Sequence, residues 1–228
     1  MSEGFMTCGA IRKGDVYHTP VAPGTRFAGS GREPASVITT CGQVWQYAPT
    51  IVGNASKYDP QTDCDGRFAS GDYGWHNNCY NYACDIATST FAMPGRKHGF
   101  CIAERYLPYK GAADLIYGAQ LDGLKLVGPN PEKAPLGVPG HLVALLVAEL
   151  DFHWVRRDGF PSNPYWSQKD AHDAVTNCDF GGAPILDPAK ANWTVNLGPE
   201  HPGGPDIIRT YQFCTYMFVS HGGAVDII

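Results

Sequence analysis

From Cys79 to Thr90, positions Cys79, Tyr82, Ala83, Ile86 and Thr90 recur at the three- and four-residue spacing of one buried helix face. Asn77 or Asn78 supplies a cap before them and Pro94-Gly95 a stop after them, so the pattern predicts a first helix opening at Cys79. A second helix is expected from Ala112 to about Leu121, with Leu115, Ile116 and Ala119 on its inner side. A Pro/Gly-rich loop, Gly128 to Gly140, follows. Beyond it the spacing changes. His141 to Glu149 is a continuous apolar run, and Asp151 to Asp158 is rich in aromatic and branched residues, which predicts two neighbouring strands. Upstream, Val37–Thr40 and Val44–Tyr47 are brief strand candidates in irregular chain. Downstream of Phe160 the pattern returns to loops, with one late strand candidate at Thr210–Ser220. This helix-first, sheet-later order predicts an α+β fold.

Length and composition narrow the classes. With 228 residues the chain reads as one domain, with an irregular part (1–70), a core (77–158) and a C-terminal extension of the sheet (159–228). The net charge of −5, without a dense Lys/Arg cluster, speaks against nucleic acid as a partner. The longest apolar run, Leu142–Ala148, has strand length and falls far short of the roughly 18 residues of a membrane span. The N-terminal stretch lacks the apolar core of a secretory signal, so synthesis in the cytoplasm is expected. Eight cysteines without a C-x-x-C pair favour free thiols, although disulfides among Cys8, Cys41 and Cys64 remain open. His76 and Cys79 have a ligand-like spacing, but no second tight Cys/His pair completes a zinc site, and no nucleotide-binding motif occurs; no metal or cofactor is expected.

The candidate chemistry centres on Cys79, in the phrase WHNNCYNYACDIA. At a helix start the macrodipole and free N–H groups favour the thiolate, and the Cys79 N–H is an oxyanion donor in waiting. The alternative is a small buried residue on an amphipathic helix. A cysteine nucleophile needs a base and an orienting group. His141, heading the apolar strand, and His153, twelve positions on, are the candidates.

This arrangement, a cysteine opening a helix and a histidine heading a buried strand some sixty residues later, resembles the papain superfamily and, within it, the NlpC-type cell-wall peptidases with their Cys-His-His triad. The resemblance implies a papain-like fold, a nucleophile helix packed against an antiparallel sheet, with Cys79 as nucleophile, His141 as general base and acid, and His153 as orienter. Here the nucleophile sits in Asn78-Cys79-Tyr80-Asn81, where that family has Asp-Cys-Ser-Gly. HNNCYNYA and DFHWVRRD are also similar to phrases in uncharacterised bacterial hydrolase-like proteins. The implied activity is thiol-dependent amide hydrolysis of peptidoglycan stem peptides, by an antibacterial effector or lysin delivered to a target-cell periplasm by a secretion system and opposed by an immunity protein. A protease, deamidase or acyltransferase acting on host protein is the alternative, and a non-catalytic binding module with Cys79 buried is a second.

The hairpin register decides whether such a triad can assemble. A turn centred on Ala148 sets His153 opposite Val143, about 7 Å along the strand from His141 on the same face; one centred on Glu149 sets it opposite Leu145, about 13 Å away. A half-residue shift of the centre puts the two histidines on opposite faces. Asp151, Asp158 and Asn163 are alternative orienters. Tyr73, Trp75, His76 and Asn78 would line the cleft, with the Tyr73 hydroxyl as a second oxyanion donor.

Overall fold

The apolar runs of the second half of the chain pair with one another into the central sheet. The computed structural model describes residues 34–53, 68, 71–102, 111–149, 151–162 and 165–228. Of the positions singled out above, Cys8, Cys64 and Asn163 lie outside the described residues, as do residues 1–33. The first strands, β1 (Ala35–Thr39) and β2 (Gly42–Gln46), form an antiparallel hairpin over the two brief apolar segments. β3 (Ile51–Val52) pairs with β4 (Ile86–Ala87). Between these lie the short helices α1 (Gly71–Trp75) and α2 (Cys79–Cys84), and α3 (Ala112–Leu121) follows.

Five strands make the main sheet: β5 (Lys125–Gly128), β6 (Gly140–Ala148), β7 (Asp151–Arg157), β8 (Trp166–Gln168) and, late in sequence, β11 (Gln212–Ser220). Their order is β5-β11-β6-β7-β8, antiparallel throughout. A separate hairpin joins β9 (Thr194–Pro199) to β10 (Asp206–Thr210). The architecture is mixed α+β, and the elements expected from the apolar pattern are present: both main strands, both helix starts and the late strand.

Strand alternation divides the core in two. On one face Val143, Leu145, Trp154, Met217 and Val219 pack against Cys79, Tyr80 and Ala83 of α2 and Leu115 and Ala119 of α3. On the other, Leu142, Ala144, Leu146, Val155 and Phe218 pack under Trp166, Phe180, Ile185, Trp193 and Tyr211. The segment after Phe160 therefore supplies most of the second cluster, and it also contains β8, β9 and β10, which the sequence reading had left as loops. Gly140 is required where β6 meets β11, because a Cβ there would lie 2.4 Å from the Phe218 ring and from the Val219 carbonyl oxygen.

Two local expectations need correction. The first helix stops after six residues, well before Pro94, because Asp85 turns left-handed at φ 58 and its N–H bonds back to the carbonyls of Asn81 and Tyr82. The cysteines are not all free thiols: Cys41 is disulfide-bonded to Cys101, a partner the sequence reading had not paired it with, while Cys79, Cys84, Cys178 and Cys214 are free.

Candidate functional site

Asn77, Asn78 and Asn81 surround the candidate nucleophile, and their amides are spent on the backbone. The Asn78 side chain accepts from the N–H groups of Tyr80 and Asn81, and Asn81 Oδ1 accepts from the Asn78 N–H, which closes a capping box. Asn78 Nδ2 also donates to the Ala92 carbonyl at 2.9 Å. Asn81 Oδ1 accepts a second bond, from the Ala92 N–H, while its Nδ2 donates to the Ile86 carbonyl and Thr88 Oγ1. Asn77 exchanges bonds with both the N–H and the hydroxyl of Ser89 and donates to the Tyr73 carbonyl. Together these amides hold the loop after α2, where Asp85, Ser89 and Phe91 all have positive φ, at 58°, 55° and 53°. Such conformations cost about 1 kcal/mol or more each for residues with a Cβ, so they persist only where the surroundings hold them.

Cys79 itself is buried in the core between α2 and the sheet. Burial pushes its thiol far above the ordinary range, outweighing backbone hydrogen bonds from Trp154 and Tyr80 that act in the opposite sense. A six-residue helix offers a weak dipole, and the thiol stays protonated.

The two histidines are separated by the sheet. His153 faces Leu146 and Trp154 faces Leu145, an odd index sum, so His141 and His153 point to opposite sides. His141 is fully buried beside α2; its Nε2 lies 2.7 Å from the Ala83 carbonyl and its Nδ1 3.0 Å from His221 Nε2. Burial lowers its pKa to about 3, so the ring is neutral. His153 sits on the far face among Phe180, Trp193 and Tyr211, with Nε2 2.6 Å from Gln168 Oε1 and Nδ1 4.0 Å from Asp170. Both nitrogens of both rings thus have partners other than Cys79. The Cys79–His141–His153 constellation is not brought together, since one residue of register decides which face each ring occupies.

The remaining candidates disperse as well. Tyr73 donates its hydroxyl to the Pro49 carbonyl, and His76 stacks on Tyr47 with centroids 3.7 Å apart. Asp151 pairs with Arg209 and accepts from the Tyr211 hydroxyl. Asp158 serves a different ring of contacts: it pairs with Arg156 and accepts from Ser167. That buried Arg156 also meets Asp85 at 3.3 Å and the Tyr82 hydroxyl at 2.8 Å, with its guanidinium 4.0 Å over the Tyr82 ring. Two carboxylates around one guanidinium satisfy a charge that would otherwise be prohibitive in the interior. Lys169 is buried too, donating to the carbonyls of Gly74 and Ala171, and burial lowers its pKa to about 8. The sequence reading missed Asn77 and Asn81 as loop clamps, along with Arg156 and His221. The N-x-x-N spacing of Asn78 and Asn81 was the one legible signal. Among the described residues no group of three or more His, Cys, Asp or Glu could hold a metal ion, and no helix is long and apolar enough to cross a membrane.

Fold and site together define a disulfide-linked α+β protein whose most distinctive polar motif braces a strained loop. No family model and no solved structure matches the chain. Over 118 residues it is 41% identical to insoluble matrix shell protein 1 of Ruditapes philippinarum, an alignment covering 51% of this chain and 70% of that protein. The chain belongs to the family of that shell protein. This relationship overturns the expectation of a bacterial peptidoglycan hydrolase, and with it the antibacterial effector and delivery by a secretion system to a target-cell periplasm, because the relative is a shell matrix protein of a mollusc.

Proposed function

We propose that this protein is a structural constituent of an insoluble extracellular matrix, of the kind named by its relative. The observation that carries this reading is the 41% identity over 118 residues. The chemistry of the chain supports it. The Cys41–Cys101 disulfide suits an oxidising, extracellular setting. The one cysteine with a suggestive helix-start context is buried and held protonated, and its neighbours serve the backbone. Apolar side chains stand out on two hairpins, Ile38 and Trp45 on β1–β2 and Ile207 and Ile208 on β10, which suits association within a solid.

Fractionating the hard tissue of the source organism tests the reading. Antibodies against the chain are expected to detect it in the residue left after demineralisation and washing with salt and detergent. Detection confined to the intracellular soluble fraction would overturn it.

A further inference from the structure

The sequence contains two Asn-x-Ser/Thr tripeptides, Asn54-Ala55-Ser56 and Asn192-Trp193-Thr194. With any residue but proline in the middle, this pattern is the acceptor for an N-linked oligosaccharide in a secreted chain. Asn54 lies outside the described residues, so the structure bears on the second.

Alternation along the chain entering β9 turns Asn192 and Thr194 outward and Trp193 inward. Asn192 and Thr194 are exposed, whereas Trp193 is buried and donates its indole N–H to the Pro188 carbonyl at 2.8 Å. The Asn192 backbone is fixed on both sides: its N–H donates to Asp179 Oδ2 at 2.8 Å, and its carbonyl accepts from the Phe180 N–H at 3.0 Å. The side-chain oxygen is spent locally, because Asn192 Oδ1 accepts the Thr194 N–H at 3.0 Å in an Asx turn. Nδ2 has no hydrogen-bond partner among the described residues. Beside it stands the exposed Gly181, where a Cβ would lie 2.8 Å from Nδ2. Gly181 does not have a positive φ, so the backbone does not call for glycine there; its effect is to keep the space beside the amide nitrogen open. Asn77 makes the contrast. Asn77-Asn78-Cys79 fits the rarer Asn-x-Cys pattern, but Asn77 is buried and its Nδ2 donates to the Tyr73 carbonyl and the Ser89 hydroxyl, so a sugar there is incompatible with the folded loop.

We propose that Asn192 carries an N-linked oligosaccharide. Its donor is an oligosaccharide held on a lipid pyrophosphate. The bond from Nδ2 to the anomeric carbon forms, the bond from that carbon to the pyrophosphate oxygen breaks with its electron pair leaving on the pyrophosphate, and the Nδ2 proton passes to a base of the transferase. Thr194 supplies the hydroxyl that the transferase reads on the extended chain, before its Oγ1 meets Thr210 Oγ1 at 3.0 Å in the fold. Folding then leaves the sugar at the surface, on a backbone already fixed by Asp179 and Phe180. The inference rests on the matrix reading for one thing, passage through the secretory route where donor and transferase reside.

The test is expression of the full chain behind a cleavable secretion signal in mammalian cells. The secreted, disulfide-intact protein is digested with peptide-N-glycosidase in H₂¹⁸O, and the peptide containing residue 192 is read by mass spectrometry. The expected result is conversion of most copies of Asn192 to ¹⁸O-labelled aspartate, with Asn77 unlabelled; Asn54 is read on a separate peptide. Before digestion, Asn192→Gln and Thr194→Ala should each lose one oligosaccharide step in gel mobility relative to the parent, and Thr194→Ser should keep it. Unlabelled Asn192 in the secreted protein would overturn the site. So would a sugar at Asn192 confined to chains retained in the cell, because the fold would then not tolerate it. The digestion is made on the unaltered chain, so it decides even if a variant fails to be secreted. The two readings fail separately. Bare Asn192 in the recombinant protein removes the acceptor and leaves the matrix reading; labelled Asn192 there, with the tissue protein confined to the intracellular soluble fraction, removes the matrix reading and leaves the acceptor.

Discussion

Replacing Asn81 with alanine removes one buried amide and four hydrogen bonds at once. Two N–H groups, of Asn78 and Ala92, lose their acceptor, and the Ile86 carbonyl loses its donor; Thr88 Oγ1 keeps a bond to Thr90 Oγ1. Each backbone group orphaned in the interior costs about 1–3 kcal/mol, and partial relaxation or water entry recovers some of it, so the variant should lose about 3–5 kcal/mol. The left-handed residues Asp85, Ser89 and Phe91 make relaxation of the loop the natural outlet for that strain. For a chain of this size, each kcal/mol lowers Tm by about 2–4 °C, which gives a fall of about 6–20 °C. Cys79→Ala is the control: it loses only packing from a small buried side chain and should cost about 1 kcal/mol. Urea unfolding of both variants at pH 7.5 without reductant, followed by tryptophan fluorescence, reads the two values. An Asn81→Ala loss below about 1 kcal/mol, or one no larger than that of Cys79→Ala, would refute the view that these asparagines brace the loop.

Three further outcomes follow from the same geometry. His141 has its pKa lowered to about 3 in the folded chain against an ordinary 6.5, so only the unfolded chain takes up this proton as pH falls below 6.5; the stability due to the neutral ring is lost on acidification, by about 2–3 kcal/mol between pH 6.5 and 4.5. Buried Asp122, raised to about 6, acts in the opposite sense over that window, so the diagnostic is the difference in slope: His141→Asn should be less sensitive to acid than the parent in urea melts, and equal slopes would contradict the assignment. Iodoacetamide labelling of the native protein, mapped by mass spectrometry, should mark the half-buried Cys214 before Cys79 and Cys84, and prompt native labelling of Cys79 would contradict its burial. Cys41→Ser frees a loop of 60 residues and should destabilise by about 2–4 kcal/mol in non-reducing urea melts; an unchanged midpoint would show that the bond does not constrain the unfolded chain.

The sequence by itself determined where the main elements lie. The period of apolar residues marked α3, β6, β7 and the late strand because burial on one helix face or on both faces of a strand leaves that period in the chain. It also marked the start of α2, through an asparagine cap that acts within three residues. It did not determine the end of that helix, which depends on a left-handed Asp85 held by tertiary contacts, nor β8, β9 and β10, whose Gly/Pro-rich surroundings hide short strands. Above all, it could not say which side of the sheet each histidine occupies. Both rings sit in strands read correctly, yet a change of one residue in pairing exchanges the faces, and that choice belongs to the turn and to the packing of the two cores. The tertiary structure settled it by placing His141 beneath α2 and His153 among the aromatic residues of the opposite face, and by burying Cys79 where helix and sheet close over it.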